Sequence, residues 1–265
     1  MSALQHDELL ASNKQCIEMW AAFARRFPEG RVEDLPGLTA ALSGTGLSFH
    51  NVIFLSSPVR DAADLAERCR VAIEHGKKSG QPWLFSACQT WAGDPAATAE
   101  IITSVGLKPV LVNTGMVADE LLPPRRPVPG ELEIRRVRDE ETRNAVGDLT
   151  CLVYHLPMEL GRTTAGLEAF WDESFHGYVG FVNGVPVSCS VTAPVDGRLY
   201  VSWVATHPEH RRKGYAEAVM RRSIDEAAAA TGLRRTVLHA TEEGRPVYEA
   251  MGYRSVAPFC WYALA

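Results

Sequence analysis

The sequence has no run of about 20 apolar residues, so no segment is expected to span a membrane. Its six cysteines, Cys16, Cys69, Cys88, Cys151, Cys189 and Cys260, include no C-x-x-C pair, which argues against a zinc site and a disulfide framework. Buried thiols in a reducing, cytoplasmic compartment are the expectation. A surplus of positive charge is also missing. The formal net charge is -5, so bulk attraction to nucleic acid is not expected. The stretch "MSALQHDELLASNKQCIEMW" puts acids and amides where the apolar core of an export signal would sit. Two phosphate-binding fingerprints, G-x-x-x-x-G-K-[ST] and G-x-G-x-x-G, are absent as well. What remains is a chain of 265 residues, enough for one large domain or two small ones.

The clearest seam is "LLPPRRPVPGELEI", residues 121–134, where four prolines forbid a continuous helix or central strand. The expected division is 1–122, a proline-rich linker at 123–130, and 131–265. In the second half, "LEIRRV" reads as a strand and "RDEETRNAVGDLTCLVYHL" as a helix capped by Asp139. "TTAGLEAFWDE" reads as a second helix. Three strands follow, with Asn183-Gly184 and Asp196-Gly197 as hairpin turns. A helix closed by Gly232, a strand "TVLHA", a short helix "GRPVYEAM" and a strand "YRSVAPFCWYALA" complete it. The first half follows a similar order: strand, proline and helix over "NVIFLSSPVRDAADLAERCRVAIEHG", strand "PWLFSACQ", helix "GDPAATAEIITSVG", strand "LKPVLVNTGMVADEL". Pro208 and Gly252 lie 44 residues apart, Pro58 and Gly106 48, so "VATHP" stands opposite "FLSSP" and "AMGYRSV" opposite "SVGLKPV". The expectation is an α/β chain with an internal duplication.

One stretch, "WVATHPEHRRKGYAEAVM", gathers Arg211, Arg212 and Lys213 beside Gly214 where a strand gives way to a helix. The first turn of a helix leaves backbone N–H groups without intrahelical partners, and its positive end binds anions. A glycine lets a phosphate approach the backbone without a Cβ in the way. The cations add charge and directed donors. The stretch therefore reads as a phosphate cradle, with a solvated basic surface as the plainer alternative.

In its setting the stretch resembles the pyrophosphate signature [R/Q]-x-x-G-x-[G/A] of the GNAT acyltransferase superfamily, filled here by Arg211, Gly214 and Ala216 after Val204-Ala205-Thr206-His207-Pro208. "GRPVYEAMGYR" resembles the family's later segment, in which a helix bearing a tyrosine ends in glycine and an aromatic; Tyr248, Gly252 and Tyr253 fill those places. The resemblance covers 131–265. It implies two GNAT-like units, each a mixed, mostly antiparallel twisted sheet flanked by helices. It also implies a bulge that splays two strands, with acetyl-CoA as cosubstrate and no metal. Carried over, the backbone of Val204, Ala205 and Thr206 would pair with pantetheine. The loop Arg211, Arg212, Lys213, Gly214, Tyr215 and Ala216 would hold pyrophosphate, Thr241 would face the cofactor, and Tyr248 would be the catalytic acid. The first half has Asp61 and Asp64 opposite the basic loop and Ile102 opposite Tyr248, as in the degenerate half of tandem GNAT proteins.

The implied activity is direct acetyl transfer to an amine acceptor, a small molecule first and a protein amine second, with no nucleic-acid or membrane partner and a homodimer left open. An amine of pKa near 10.4 must lose a proton at pH 7, at a cost of about 4.6 kcal/mol. Proton transfer from a free tyrosine to a thiolate leaving group is uphill by roughly 2 kcal/mol. The strand "LYVSWVAT" lacks the glutamate that many relatives carry, and His176, His207, His239, Glu159 and Glu173 are the other candidate bases. A non-catalytic acyl-CoA sensor is the rival reading.

Overall fold

The computed structural model describes residues 3–92 and 94–265. Met1 and Ser2, at the head of the stretch read for an export signal, and Gly93, at the head of "GDPAATAEIITSVG", lie outside the described residues. The chain forms two compact units. The first comprises Met1–Met116, His239–Pro246 and Ser255–Ala265; the second comprises Val117–Leu238 and Val247–Arg254. Residues 131–265, taken as one block by sequence, thus contribute two segments to the first unit.

The first unit starts with α1 (Ala3–Ala24), the hairpin β1 (Arg31–Leu35) and β2 (Leu38–Leu42), and β3 (Asn51–Leu55). Then come α2 (Ala62–Lys78), β4 (Leu84–Cys88), α3 (Pro95–Ser104) and β5 (Leu107–Ala118). The sequence reading assigned nothing to the β1–β2 hairpin. Asp61 starts α2 by accepting the Asp64 N–H, and Asp94 starts α3 by accepting from Ala96 and Ala97, with Pro95 at the first helical position. β1 and β2 pair antiparallel, as do β2 and β3, whereas β3 and β4 are parallel across α2. The last strand of the chain, β11 (Arg254–Leu264), lies between β4 and β5. It is antiparallel to β4, with Trp261 opposite Ser86. Phe259, Cys260 and Tyr262 enter one core with Ile53, Phe85 and Ile102, and Trp261 enters another with Phe54 and Leu84.

The second unit contains β6 (Glu133–Arg136), α4 (Glu140–Tyr154), α5 (Met158–Thr164), β7 (His176–Val182), β8 (Val185–Val195), β9 (Arg198–Thr206), α6 (Tyr215–Thr231) and the start of β10 (Thr236–Thr241). Asp139 and Thr142 cap α4 reciprocally. Asn183-Gly184 and Asp196-Gly197 all have positive φ, as two-residue hairpin turns of matching twist require. β6 to β9 run antiparallel in order, and β9 and β10 are parallel across α6. The faces of this sheet carry separate clusters. Val146, Leu149, Val179 and Cys189 pack under α4, while Leu132, Tyr178, Val187 and Val219 pack under α6.

The two units share one order: two antiparallel steps (preceded in the second unit by a third, β6 to β7), a crossover helix, then a parallel strand. The next helix also ends alike. α3 is followed by Gly106 at φ 97, and α7 (Arg245–Ala250) by Gly252 at φ 103. The duplication read from the Pro58–Gly106 and Pro208–Gly252 spacing is therefore a duplication of structure. One helix falls elsewhere than expected. "TTAGLEAFWDE" is not a continuous helix; α5 starts earlier, after Pro157, and stops at Thr164, with a single 3-10 turn at Glu168–Phe170. The indole of Trp171 donates to the Ala165 carbonyl at 2.6 Å, taking the acceptor that a continuing helix would use.

Among the described residues no helix is long and apolar enough to cross a membrane. All six cysteines are unbridged and buried.

Candidate functional site

The site begins with a break in β9. Ala205 pairs with Cys189 and Ser202 with Val191, so two residues of β9 face one of β8. Trp203 occupies the bulge at φ 52, a left-handed conformation that a bulky residue adopts only under constraint. Its carbonyl accepts from the Cys189 thiol at 3.2 Å and its ring meets Phe170 at 5.6 Å. The β9–β10 ladder covers Leu199 and Tyr200, while β9 continues to Thr206. The bulge implied by the family resemblance is thus present, and Val204, Ala205 and Thr206 lie just beyond it. Ala205 is buried and Val204 and Thr206 are half-buried. The Thr206 hydroxyl is held by Ser188 at 2.9 Å, which fixes the end of the strand.

After Thr206, Pro208–His210 form one 3-10 turn. The Nε of Arg211 donates to the Thr206 carbonyl at 3.4 Å and so ties the loop to β9. Arg212 at φ 62 and Gly214 at φ 88 turn the chain twice through the left-handed region. Gly214 caps α6 with no side-chain hydrogen bond. The first N–H groups of α6, around Tyr215 and Ala216, therefore meet the surface with no carboxylate or hydroxyl cap, beside the exposed side chains of Arg212 and Lys213. The Tyr215 ring is buried under α6, and its hydroxyl donates to Glu131 at 2.7 Å. That bond holds the Glu131 carboxyl below the usual range and raises the phenol. Tyr215 thus offers this loop its backbone N–H, not its side chain. A second residue also stands at the loop. The Cδ of Arg126 lies 3.0 Å from the position a Cβ on Gly214 would take, and its guanidinium reaches the Arg212 carbonyl at 3.5 Å. Sequence reading missed Arg126, and the signal was there: two arginines set between prolines.

The counterpart in the first unit is built to the opposite effect. At the start of α2, Asp61 accepts the Asp64 N–H at 2.8 Å and Asp64 accepts the Arg60 N–H at 2.9 Å. The loop carbonyls are taken by Arg68, which donates to Ser57 at 3.0 Å and Pro58 at 3.3 Å while pairing with Asp64 at 2.7 Å. The Arg60 N–H, then the side chains of Arg60 and Arg68, hold the Asp64 carboxyl far below the ordinary range. This helix start supplies its own anions.

Tyr248, on α7, is buried at 8% exposure, with its ring edge-on to Tyr253 at 6.0 Å. Burial, followed by the neighbouring phenols of Tyr154 and Tyr253, pushes its pKa far above the ordinary tyrosine range, so it is protonated at neutral pH. The equivalent position in the first unit is the fully buried Ile102. Thr241 ends β10 in the first unit, where its hydroxyl accepts the Gly244 N–H at 3.3 Å. His239, also in that unit, lies against Phe259 at 4.6 Å and is lowered by burial to about 3. His176 is buried on β7, and burial, then Arg136, lower it. The Nδ1 of His207 accepts the Glu209 N–H at 3.3 Å. Glu159 and Glu173 are exposed.

Residues 147–253 match the model of the acetyltransferase (GNAT) family. No curated protein matches the chain. Several solved structures share its fold over nearly its whole length. A GCN5-related N-acetyltransferase from Kribbella flavida superposes with a TM-score of 0.67 at 16% identity, covering 94% of this chain and 95% of that one. A protein from Drosophila gives 0.60 at 15% identity, covering 100% and 97%. A tandem GNAT protein from the clavulanic acid biosynthesis pathway gives 0.55 at 14% identity, covering 96% and 92%.

Proposed function

We propose, from the premise that residues 147–253 form a domain of the acetyltransferase (GNAT) family, that this chain transfers an acetyl group from acetyl-CoA directly to an amine. The observation that carries this reading is the contrast between the two helix starts. α2 is closed by Asp61 and Asp64, whereas α6 starts without a side-chain cap among Arg211, Arg212 and Lys213. A free positive helix end flanked by cations suits a pyrophosphate, and a glycine at φ 88 keeps a Cβ out of the approach. The residues present therefore fit CoA.

Acetyl-CoA supplies the activated acyl group. The chain's part is to hold it and to manage protons. The N–H groups at the start of α6 and the loop cations take the pyrophosphate. The backbone of Val204, Ala205 and Thr206, beyond the bulge, offers a strand edge to the pantetheine amides. Tyr248 holds a proton for the departing sulfur. An acyl-cysteine route is disfavoured. Burial pushes the Cys189 thiol up to about 12 and raises Cys260, so neither supplies a thiolate near neutral pH. With no acid on β9, the acceptor's proton leaves to water or the acceptor is an amine of low pKa. The buried, unbridged cysteines suit a reducing cytoplasm.

Calorimetric titration of the full chain with CoA tests the site. One CoA per chain is expected, since of the two matching helix starts, α2 and α6, α2 is closed by Asp61 and Asp64 and α6 is not. Gly214→Glu should weaken binding at least tenfold, about 1.4 kcal/mol, in a variant whose circular dichroism is unchanged. Unaltered affinity, or two equivalent sites per chain, would sink the assignment. Free-thiol release across a panel of amines then separates the readings. Binding without turnover on any amine is the result expected of an acyl-CoA sensor.

A further inference from the structure

The proline-rich segment that reads as a linker is fastened along the second unit. Asp119 pairs with Arg235 at 2.7 Å and approaches Arg254 at 4.0 Å. The Leu122 N–H donates to the Met251 carbonyl at 2.9 Å, and the Leu122 carbonyl accepts from Arg221 at 2.7 Å. Gly252 makes room for this passage, because a Cβ there would lie 2.9 Å from the Leu122 Cγ. Pro123 and Pro124 follow Leu122, and Pro127 closes the stretch. Proline restricts the backbone, so a side chain carried here is positioned at little further cost in chain entropy.

The strap carries Arg126 to the loop at Gly214. The placement is electrostatically unfavourable on the chain's own account. Arg126 adjoins Arg212 beside Lys213, at the positive end of α6. Among the described residues it forms no ion pair, and its bond to the Arg212 carbonyl, at 3.5 Å, is at the outer limit for a hydrogen bond. A cation held by an anchored strap at a site of its own sign is relieved by an anion, and a guanidinium binds phosphate oxygens with directed, charge-assisted bonds.

We infer that Arg126 is a pyrophosphate-binding residue of the acyl-donor site, its guanidinium leaving the Arg212 carbonyl to close over the phosphates from the side opposite the α6 N–H groups. The inference rests on the reading of residues 211–216 as the phosphate loop. It extends the site to a segment outside the 147–253 match.

The test is calorimetric binding of CoA and dephospho-CoA to the full chain, its Arg126→Ala and Arg126→Lys variants, and Arg125→Ala as a neighbouring-charge control. Arg126→Ala should weaken both ligands alike by about ten- to a hundredfold, the range of one charge-assisted bond. Arg126→Lys should recover part of the loss, and Arg125→Ala should stay within about twofold of the unaltered protein. Unchanged binding by Arg126→Ala overturns the inference. So does a loss seen with CoA but not dephospho-CoA, which would assign the contact to the 3′-phosphate, or an equal loss in Arg125→Ala, which would make the effect diffuse charge. An unaltered protein that binds neither ligand overturns the phosphate-loop reading itself, an outcome distinct from the others.

Discussion

Tyr248→Phe is expected to lower kcat by about ten- to a thousandfold while leaving the CoA dissociation constant within about twofold. The variant keeps the ring that packs against Tyr253 and removes only the hydroxyl. On the proposed reading, binding uses the loop at the start of α6, so it should survive. The loss falls on the step in which the sulfur departs with a developing negative charge. Burial raises the phenol of Tyr248, with Tyr154 and Tyr253 adding to the effect, so the phenol is fully protonated near neutral pH. No fall in kcat from deprotonation of Tyr248 should therefore appear below about pH 10. Absence of a pre-steady-state burst of free thiol checks that chemistry limits turnover. If kcat is then retained in the variant, the tyrosine is a packing residue.

Acidification from pH 7 to pH 5 should remove on the order of 4 kcal/mol of folding stability from the first unit. Two buried histidines are the cause. His50, between the rings of Phe23 and Phe27, is lowered by burial to about 4, and His239 to about 3. Both are neutral in the folded chain at pH 5, whereas in the unfolded chain each takes up a proton below about 6.5. A lowered folded pKa means the stabilisation is complete above 6.5 and is lost as pH falls toward 4 and 3. At pH 5 each accounts for about 2 kcal/mol. Urea unfolding at both pH values measures the drop, and the double variant His50→Gln/His239→Gln should lose most of it. An undiminished drop in that variant would assign the acid sensitivity elsewhere.

Much of this was legible in sequence because it is local. Asp61, Asp94 and Asp139 cap helices as their positions promise, since a cap is decided within three residues. The Asn-Gly and Asp-Gly turns need positive φ, which those residue types supply. The contrast between a basic loop and its acidic counterpart is written directly in the chain. The helix expected across "TTAGLEAFWDE" was not legible, because a hydrogen bond from Trp171 to Ala165 competes with helix continuation.

By itself, then, the sequence determined most of the order of strands and helices from β3 onward, the duplicated spacing, and the contrast between a basic glycine loop at one helix start and acids at the other. Each depends on residues near one another in the chain. Only the tertiary structure decided where β11 goes, because a strand's partners depend on backbone pairing and shared burial, which its own alternation of side chains does not encode. Trp261 and Phe259 could line either unit's core by composition, and contact with β4 places them in the first. The same holds for Trp203, whose left-handed bulge is imposed by the register of β8 against β9. It holds for Arg126 too, which becomes a neighbour of Gly214 only when Asp119 and Leu122 fasten the strap 86 residues upstream of the carbonyl it reaches.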